Sequence, residues 1–177
     1  MEILPARIPG VFKVQPAKHG DERGYLVRTH CAETFAAAGL NHRWVQSSVT
    51  SSPMRGTLRG MHYQTAPFGE IKLIRCLTGT VWDCLVDIRP ASLTYGQWEA
   101  FELSEDNATA LYVPEGIAHG FLTLTSDVRM LYVMSAIYSP AHESGVRWDD
   151  ATVGIPWPAQ PVILSDRDAS WPLLANL

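Results

Sequence analysis

The chain has 177 residues, of which 46% are hydrophobic and 18% charged, and its formal net charge is -4. That length suits one domain with a core of its own, and the acidic balance excludes non-specific nucleic-acid binding, which needs a basic surface. No stretch approaches the roughly 20 apolar residues that span a bilayer, whereas an anionic small ligand stays compatible because a few arginines focused in one cleft suffice.

In chain order, Met1 to Gly10 lacks an apolar core of the length a signal peptide needs. Ala32–Ala38 is expected to form a short helix stopped by Gly39. Strand patterns dominate thereafter: 44–50, Ile71 to Leu77, Val81 to Arg89, 97–103, 109–113, 121–125 and Arg129 to Tyr138. Ile71–Leu77 and Val81–Arg89 flank Thr78-Gly79 and read as a hairpin. Along the second of these, Trp82, Cys84, Val86 and Ile88 share one face while Asp83, Leu85, Asp87 and Arg89 share the other. That alternation suits a strand with one face buried and one lining something polar. From Gly154 onward lie four of the twelve prolines, so the tail is expected to wrap the surface irregularly. Cys31, Cys76 and Cys84 form no CxxC pair, and the last two fall in apolar strand patterns, as buried reduced thiols do. The expectation is a single all-β domain over residues 1–177, a double-sheet sandwich or barrel, in the cytoplasm.

Leu58-Arg59-Gly60-Met61-His62-Tyr63-Gln64, Lys72, and Pro114-Glu115-Gly116-Ile117-Ala118-His119-Gly120-Phe121 concentrate the chemistry. They place His62, His119, Arg59 and Lys72 at the ends of short strands, beside glycines that would let backbone and ligand approach closely. His19, His30, His42 and His142 have no such setting and read as structural. The pair His62 and His119 admits two chemistries. In the first, His62, Gln64, Glu70 and His119 hold a metal. Pro114-x-Gly116-x-x-His119 fits a cupin metal motif, but Gln64 stands where such sites present a second histidine, and an amide is a poor ligand for zinc, iron or nickel. In the second, protons move at a carbon beside a carbonyl. His62 supplies the base, carboxylates of the Asp166/Asp168 turn orient it, Tyr132 and Tyr138 are donors, and Lys72 meets the developing enolate. Arg59 suits either a bidentate grip on diphosphate or an ordinary surface ion pair. The tryptophans read as core or interface anchors.

These pieces resemble the dTDP-4-dehydrorhamnose 3,5-epimerase family over essentially the whole chain. Asp21-x-Arg23-Gly24-Tyr25 is similar to its early motif. Arg59 to Gln64, Lys72-Leu73, Asp83-x-x-x-Asp87-Ile88-Arg89, Ser92-x-Thr94-Tyr95-Gly96 and Gly116 to Phe121 follow in family order. Tyr132, Tyr138, Trp148-Asp149-Asp150, Ile155-Pro156-Trp157-Pro158 and Leu164-Ser165-x-x-Asp168 complete the set. The resemblance implies a cupin-like jelly roll with a few short helices that needs no metal and no cofactor and works as a homodimer. It implies inversion at C3, C5 or both of a nucleotide-diphosphate 4-keto-6-deoxy sugar. His62 would be the base, held by Asp168, with Tyr132 the acid on the opposite face and Lys72, with His119, at the enolate oxygen. Arg59, Tyr138, Gln46, Ser48 and Glu70 would belong to substrate binding, with Arg23 and Arg28 serving the nucleotide, Arg23 from the partner subunit. Three positions depart from the family: Arg28 replaces a usual glutamate, Ser48 an asparagine and Glu70 a glutamine. The dTDP-linked sugar of the family stays the default substrate, and these departures open a CDP- or GDP-linked keto sugar as the alternative. A metal-dependent cupin oxygenase or isomerase, and a non-catalytic sugar-nucleotide binder, are the competing classes.

Overall fold

The computed structural model describes all residues from Met1 to Leu177. Its strands are β1 (Glu2–Pro5), β2 (Phe12–Gln15), β3 (Lys18–Asp21), β4 (Gly24–Val27), β5 (Gln46–Ser52), β6 (Leu58–Gln64) and β7 (Lys72–Thr78). They continue with β8 (Thr80–Asp87), β9 (Trp98–Ser104), β10 (Ala110–Val113), β11 (Ile117–Thr123), β12 (Val128–Met134) and β13 (Glu143–Gly145). Two short helices, α1 (Ala32–Ala37) and α2 (Asp166–Ser170), are the only α-helical segments. A six-stranded sheet runs β1-β2-β10-β7-β12-β5, a five-stranded sheet runs β13-β6-β11-β8-β9, and β3-β4 form a separate ribbon. All pairings between the named strands are antiparallel.

Alternation along the strands sorts side chains into three apolar layers. Between the sheets, Ile74 and Cys76 of β7 and Met130 of β12 meet Val81 and Leu85 of β8 and Phe121 of β11. Outside the five-stranded sheet, Cys84, Val86 and Ala118 are covered by Val153, Leu174 and Trp157 from the tail. Outside the six-stranded sheet, Leu73, Ala110 and Tyr112 pack beneath Phe35 of α1 and Trp44. The all-β double-sheet architecture thus follows from apolar faces that must be buried on both sides.

Several expectations change. Ile71–Leu77 and Val81–Arg89 are not a hairpin. β7 and β8 belong to different sheets, and Gly79 (φ +77°) turns the chain through the corner between them. Both faces of β8 are buried, with Asp83, Leu85 and Asp87 fully enclosed on one and Cys84 and Val86 on the other. His62 and His119 lie within β6 and β11 rather than at strand ends, and the two are direct cross-strand partners. The glycines beside them serve backbone and packing contacts. A Cβ on Gly60 (φ +143°) would stand 2.5 Å from the Gly120 Cα, and one on Gly116 would meet the Arg89 side chain. The strand expected over 129–138 ends at Met134, which leaves Tyr138 in a loop. The helix stopped by Gly39 forms, one residue shorter than expected, and Gly39 adopts φ +70°. The tail is irregular for much of its length, but it also carries α2. Cys76 and Cys84 are free and buried, and Cys31 is free.

Candidate active site

One cleft, of about 390 Å³, opens between the two sheets. Gln46 and Ser48 of β5, Lys72 of β7, and Tyr132 and Met134 of β12 line it from the six-stranded sheet. His62, Tyr63 and Gln64 of β6 and Glu143 of β13 line it from the other, with Glu70, Tyr138 and Arg167 at its rim. His62 and Tyr132 therefore stand on opposite walls.

The tail delivers Asp168 to His62. Ser165 caps α2 by accepting the Asp168 N–H, which fixes the helix start and turns the carboxylate inward. His62 Nε2 lies 2.7 Å from Asp168 Oδ1, and the Gly60 N–H donates to Oδ2 at 3.2 Å. Burial pushes the Asp168 carboxyl up, but the hydrogen bond and charge of His62, the Gly60 N–H and Arg167 more than offset it, and hold it below the usual carboxylate range. An ionised Asp168 accepts Nε2–H, so the imidazole keeps its Nδ1 lone pair available as a base.

Lys72 Nζ donates to the His62 carbonyl oxygen at 3.3 Å and pairs with Glu70 Oε1 at 3.2 Å. The carboxylate of Glu70 is thus balanced within the cleft. Tyr132 packs on the inter-sheet core, and burial, reinforced by the charge of Asp83, raises its hydroxyl well above the usual phenol range. A tyrosine so placed stays protonated, a donor rather than a base. His119 does not line the cleft. It is 4% exposed, its ring meets Tyr132 edge-on at 5.9 Å, and its Nε2 lies 2.8 Å from Asp83 Oδ2.

The remaining expected residues divide. The Gln46 side chain accepts the Tyr138 N–H, and the exposed Tyr138 hydroxyl donates to Glu143, which also receives Arg167 at 2.9 Å. Arg59 does not line the cleft; it bonds Ser52 Oγ and the Ser51 carbonyl across the sheets. Arg23 sits exposed on the β3–β4 ribbon, bonded to Asp21 at 3.1 Å, and Arg28 lies beside His19 and Thr34 in a separate depression. Neither reaches its own chain's cleft. The metal-ligand set of the competing class is otherwise engaged. Gln64 donates to the Phe68 carbonyl and accepts from the Ser139 N–H, and His119 Nε2 is turned to Asp83. No three His, Cys, Asp or Glu side chains converge in a metal-holding group. Sequence reasoning missed Glu143, Arg167, Tyr63 and Met134 as lining residues and Asp83 as the partner of His119.

The family model described as dTDP-4-dehydrorhamnose 3,5-epimerase matches residues 5–176. The chain belongs to this family. It is 41% identical over 171 residues to the dTDP-4-dehydrorhamnose 3,5-epimerase of Sinorhizobium fredii, covering 96% of this chain and 88% of that one. A dTDP-4-dehydrorhamnose 3-epimerase of Streptomyces niveus is 37% identical, over 99% and 85% of the two chains. Among solved structures, the dTDP-6-deoxy-D-glucose-3,5-epimerase of Legionella pneumophila in complex with dTDP-4-keto-L-rhamnose superimposes with a TM-score of 0.93 at 35% identity. It covers 98% of this chain and 93% of that one. The protein is an isomerase of deoxysugar biosynthesis, and its jelly-roll fold is that of the family's epimerases.

Proposed function

We propose that this epimerase inverts C3, C5 or both of a nucleotide-diphosphate 4-keto-6-deoxy sugar, with the dTDP-linked sugar as its default substrate. The observation that carries the reading is the His62–Asp168 pair on one wall of the cleft with Tyr132 on the other. A ketone acidifies the C–H bonds beside it. His62 removes such a proton, and the negative charge gathers on the ketone oxygen, where the Lys72 ammonium offsets it. Tyr132 then protonates the enolate carbon from the opposite side, and the stereocentre is inverted. Met134 and the aromatic lining exclude water from the enolate.

In this reading Gln46, Ser48 and Tyr138 hold the sugar nucleotide along the β5 wall, and Arg59, outside the lining, exchanges its Ser51 and Ser52 contacts for the diphosphate. His119, behind Tyr132 and paired with Asp83, joins Lys72 at the enolate oxygen in this reading. Arg23 and Arg28, distant from their own cleft, serve the nucleotide of a second subunit in a homodimer. The exposed Tyr25 and Leu26 on the same ribbon, and Val49 and Leu77 on the outer sheet face, support such an association. The 177 residues act as one domain, supported by the core that both sheets share. Cytoplasmic residence is supported by the free thiols Cys76 and Cys84.

The test is deuterium incorporation followed by NMR in deuterated water, offering the dTDP-, CDP- and GDP-linked 4-keto-6-deoxyglucose side by side. Deuterium at C3, C5 or both from the dTDP sugar, abolished by His62→Ala, is the expected result. Incorporation from only the CDP or GDP sugar would move the substrate to that nucleotide. Wild-type exchange rates in His62→Ala would overturn the assignment of the base.

A further inference from the structure

Three carboxylates stand at the cleft, and two are spent. One Asp168 oxygen accepts from His62 and the other from the Gly60 N–H. One Glu143 oxygen meets Arg167 and the other accepts from the Tyr138 hydroxyl. Glu70 differs. Its Oε1 pairs with Lys72 Nζ at 3.2 Å, and its Oε2 has no hydrogen-bond partner within the chain. Both side chains of this pair are 11% exposed, and both line the cleft. The acceptor capacity left on Glu70 therefore faces the space that a substrate fills, and stripping water from it without supplying a donor is costly.

The charge and position of that carboxylate narrow the donor. It repels a diphosphate, so its partner belongs to the sugar. In the proposed scheme the Lys72 ammonium meets the ketone oxygen at C4, which sets Glu70 beside the ketone. Of the two neighbouring carbons, C5 carries a methyl group and the ring oxygen, and neither donates. C3 carries a hydroxyl. The sugar thus offers an acceptor and a donor on adjacent carbons, about one hydrogen-bond length apart. Lys72 and Glu70 offer the complementary donor and acceptor at a spacing of 3.2 Å. A bare carboxylate in this place would also oppose the negative charge that gathers on the ketone oxygen, and a hydroxyl proton directed at it offsets that repulsion.

We infer that Glu70 accepts the C3 hydroxyl of the keto sugar and makes this chain selective for substrates in which that hydroxyl is present and free. A 3-deoxy sugar leaves the carboxylate unpaired, and a 3-O-alkyl sugar brings bulk without a donor. The contact is a hydrogen bond; no proton passes to Glu70, and His62, Tyr132 and Lys72 keep their roles. The inference rests on the proposed reading that the ketone lies at Lys72.

The decisive comparison sets 4-keto-6-deoxyglucose against its 3-deoxy counterpart, both on the nucleotide that wild type accepts. The readout is kcat/KM for deuterium entry beside the ketone, followed by NMR in deuterated water. Wild type should favour the 3-hydroxy sugar by about 10–100-fold, the worth of a hydrogen bond to a charged group. In Glu70→Ala that preference should collapse to within about threefold of unity. Glu70→Gln keeps the shape and an acceptor but not the charge; its preference should be intermediate, and it serves if Glu70→Ala does not fold. A role confined to holding Lys72 would slow both sugars by the same factor, so a wild-type preference retained in either variant would overturn the inference. A wild type indifferent to the C3 hydroxyl would overturn it as well. A wild type that exchanges no 4-keto sugar on any nucleotide would instead overturn the epimerase reading, and the role of Glu70 with it.

Discussion

At the scale of single residues, the site separates two acid–base partners by environment. Asp168 is buried yet held ionised by His62, Gly60 and Arg167, while Tyr132 is held protonated by burial and by Asp83. Opposite walls with opposite proton preferences are what inversion requires, and the contrast dictates distinct phenotypes. Tyr132→Phe should still exchange the proton that His62 removes but return it to the same face, so NMR should show deuterium without epimer. Asp168→Asn keeps an acceptor for the Gly60 N–H and loses the charge that holds the imidazole. Its turnover should drop about 10²–10⁴-fold with the melting temperature little changed. Equal loss of exchange and inversion in Tyr132→Phe would refute the division of roles.

At the scale of elements, two junctions fix the five-stranded sheet that carries His62. Strands β6 and β11 cross closely at Gly60 and Gly120, where a Cβ on Gly120 would lie 2.5 Å from Met61 Sδ and 2.9 Å from the Arg59 carbonyl. Gly60→Ala adds both a left-handed backbone strain and a clash with backbone. We expect a loss of about 2–5 kcal/mol, read by chemical denaturation, and a displaced His62. The second junction follows β8, where Asp87 accepts from Arg89, Ser92 and Thr94. Burial raises its carboxyl, but those donors bring it down to about 2, below the ordinary 3.8. A carboxyl depressed on folding stabilises the native state above its unfolded value and loses that contribution as pH falls through its folded value. About 2 kcal/mol should therefore disappear between roughly pH 4 and pH 2. Asp87→Asn should lower stability at neutral pH and flatten that acid limb in denaturation curves taken across the range.

At the scale of the whole molecule, the cleft of one chain is lined without Arg23 or Arg28, and both stand on exposed parts of the N-terminal region. The homodimer reading predicts a sedimentation coefficient of a two-chain species at micromolar concentration. It also predicts that Arg23→Ala raises KM for the nucleotide sugar with little effect on kcat. A monomer with full activity would remove both arginines from the site.

Much of the fold was legible because strand alternation and turn residues are local signals. The short helix before Gly39, most of the central strands and a turn at Gly79 were found by them, although that turn was read as a hairpin and is a corner between sheets. His62 was legible as a candidate because a histidine among glycines and other polar residues has few structural uses, whereas Tyr132 stands in an apolar strand and was singled out by its donor hydroxyl and the family resemblance. What strands do with one another was not legible. Thr78-Gly79 has the same backbone chemistry whether the flanking strands pair or part. β7 parts from β8 because it is claimed by β10 and β12, while β9 and β11 claim β8. Glu143 and Arg167 escaped notice because each is an ordinary surface charge in sequence, and only the fold sets them at one rim. By itself, the order of residues determined an all-β chain and marked His62, Tyr132 and Lys72 as the candidate base, acid and cation, since propensity and functional-group chemistry belong to residues. The tertiary structure alone decided that His62 and Tyr132 face each other from different sheets and that Asp83 stands buried behind them, because contacts between distant segments depend on which apolar faces close on one another.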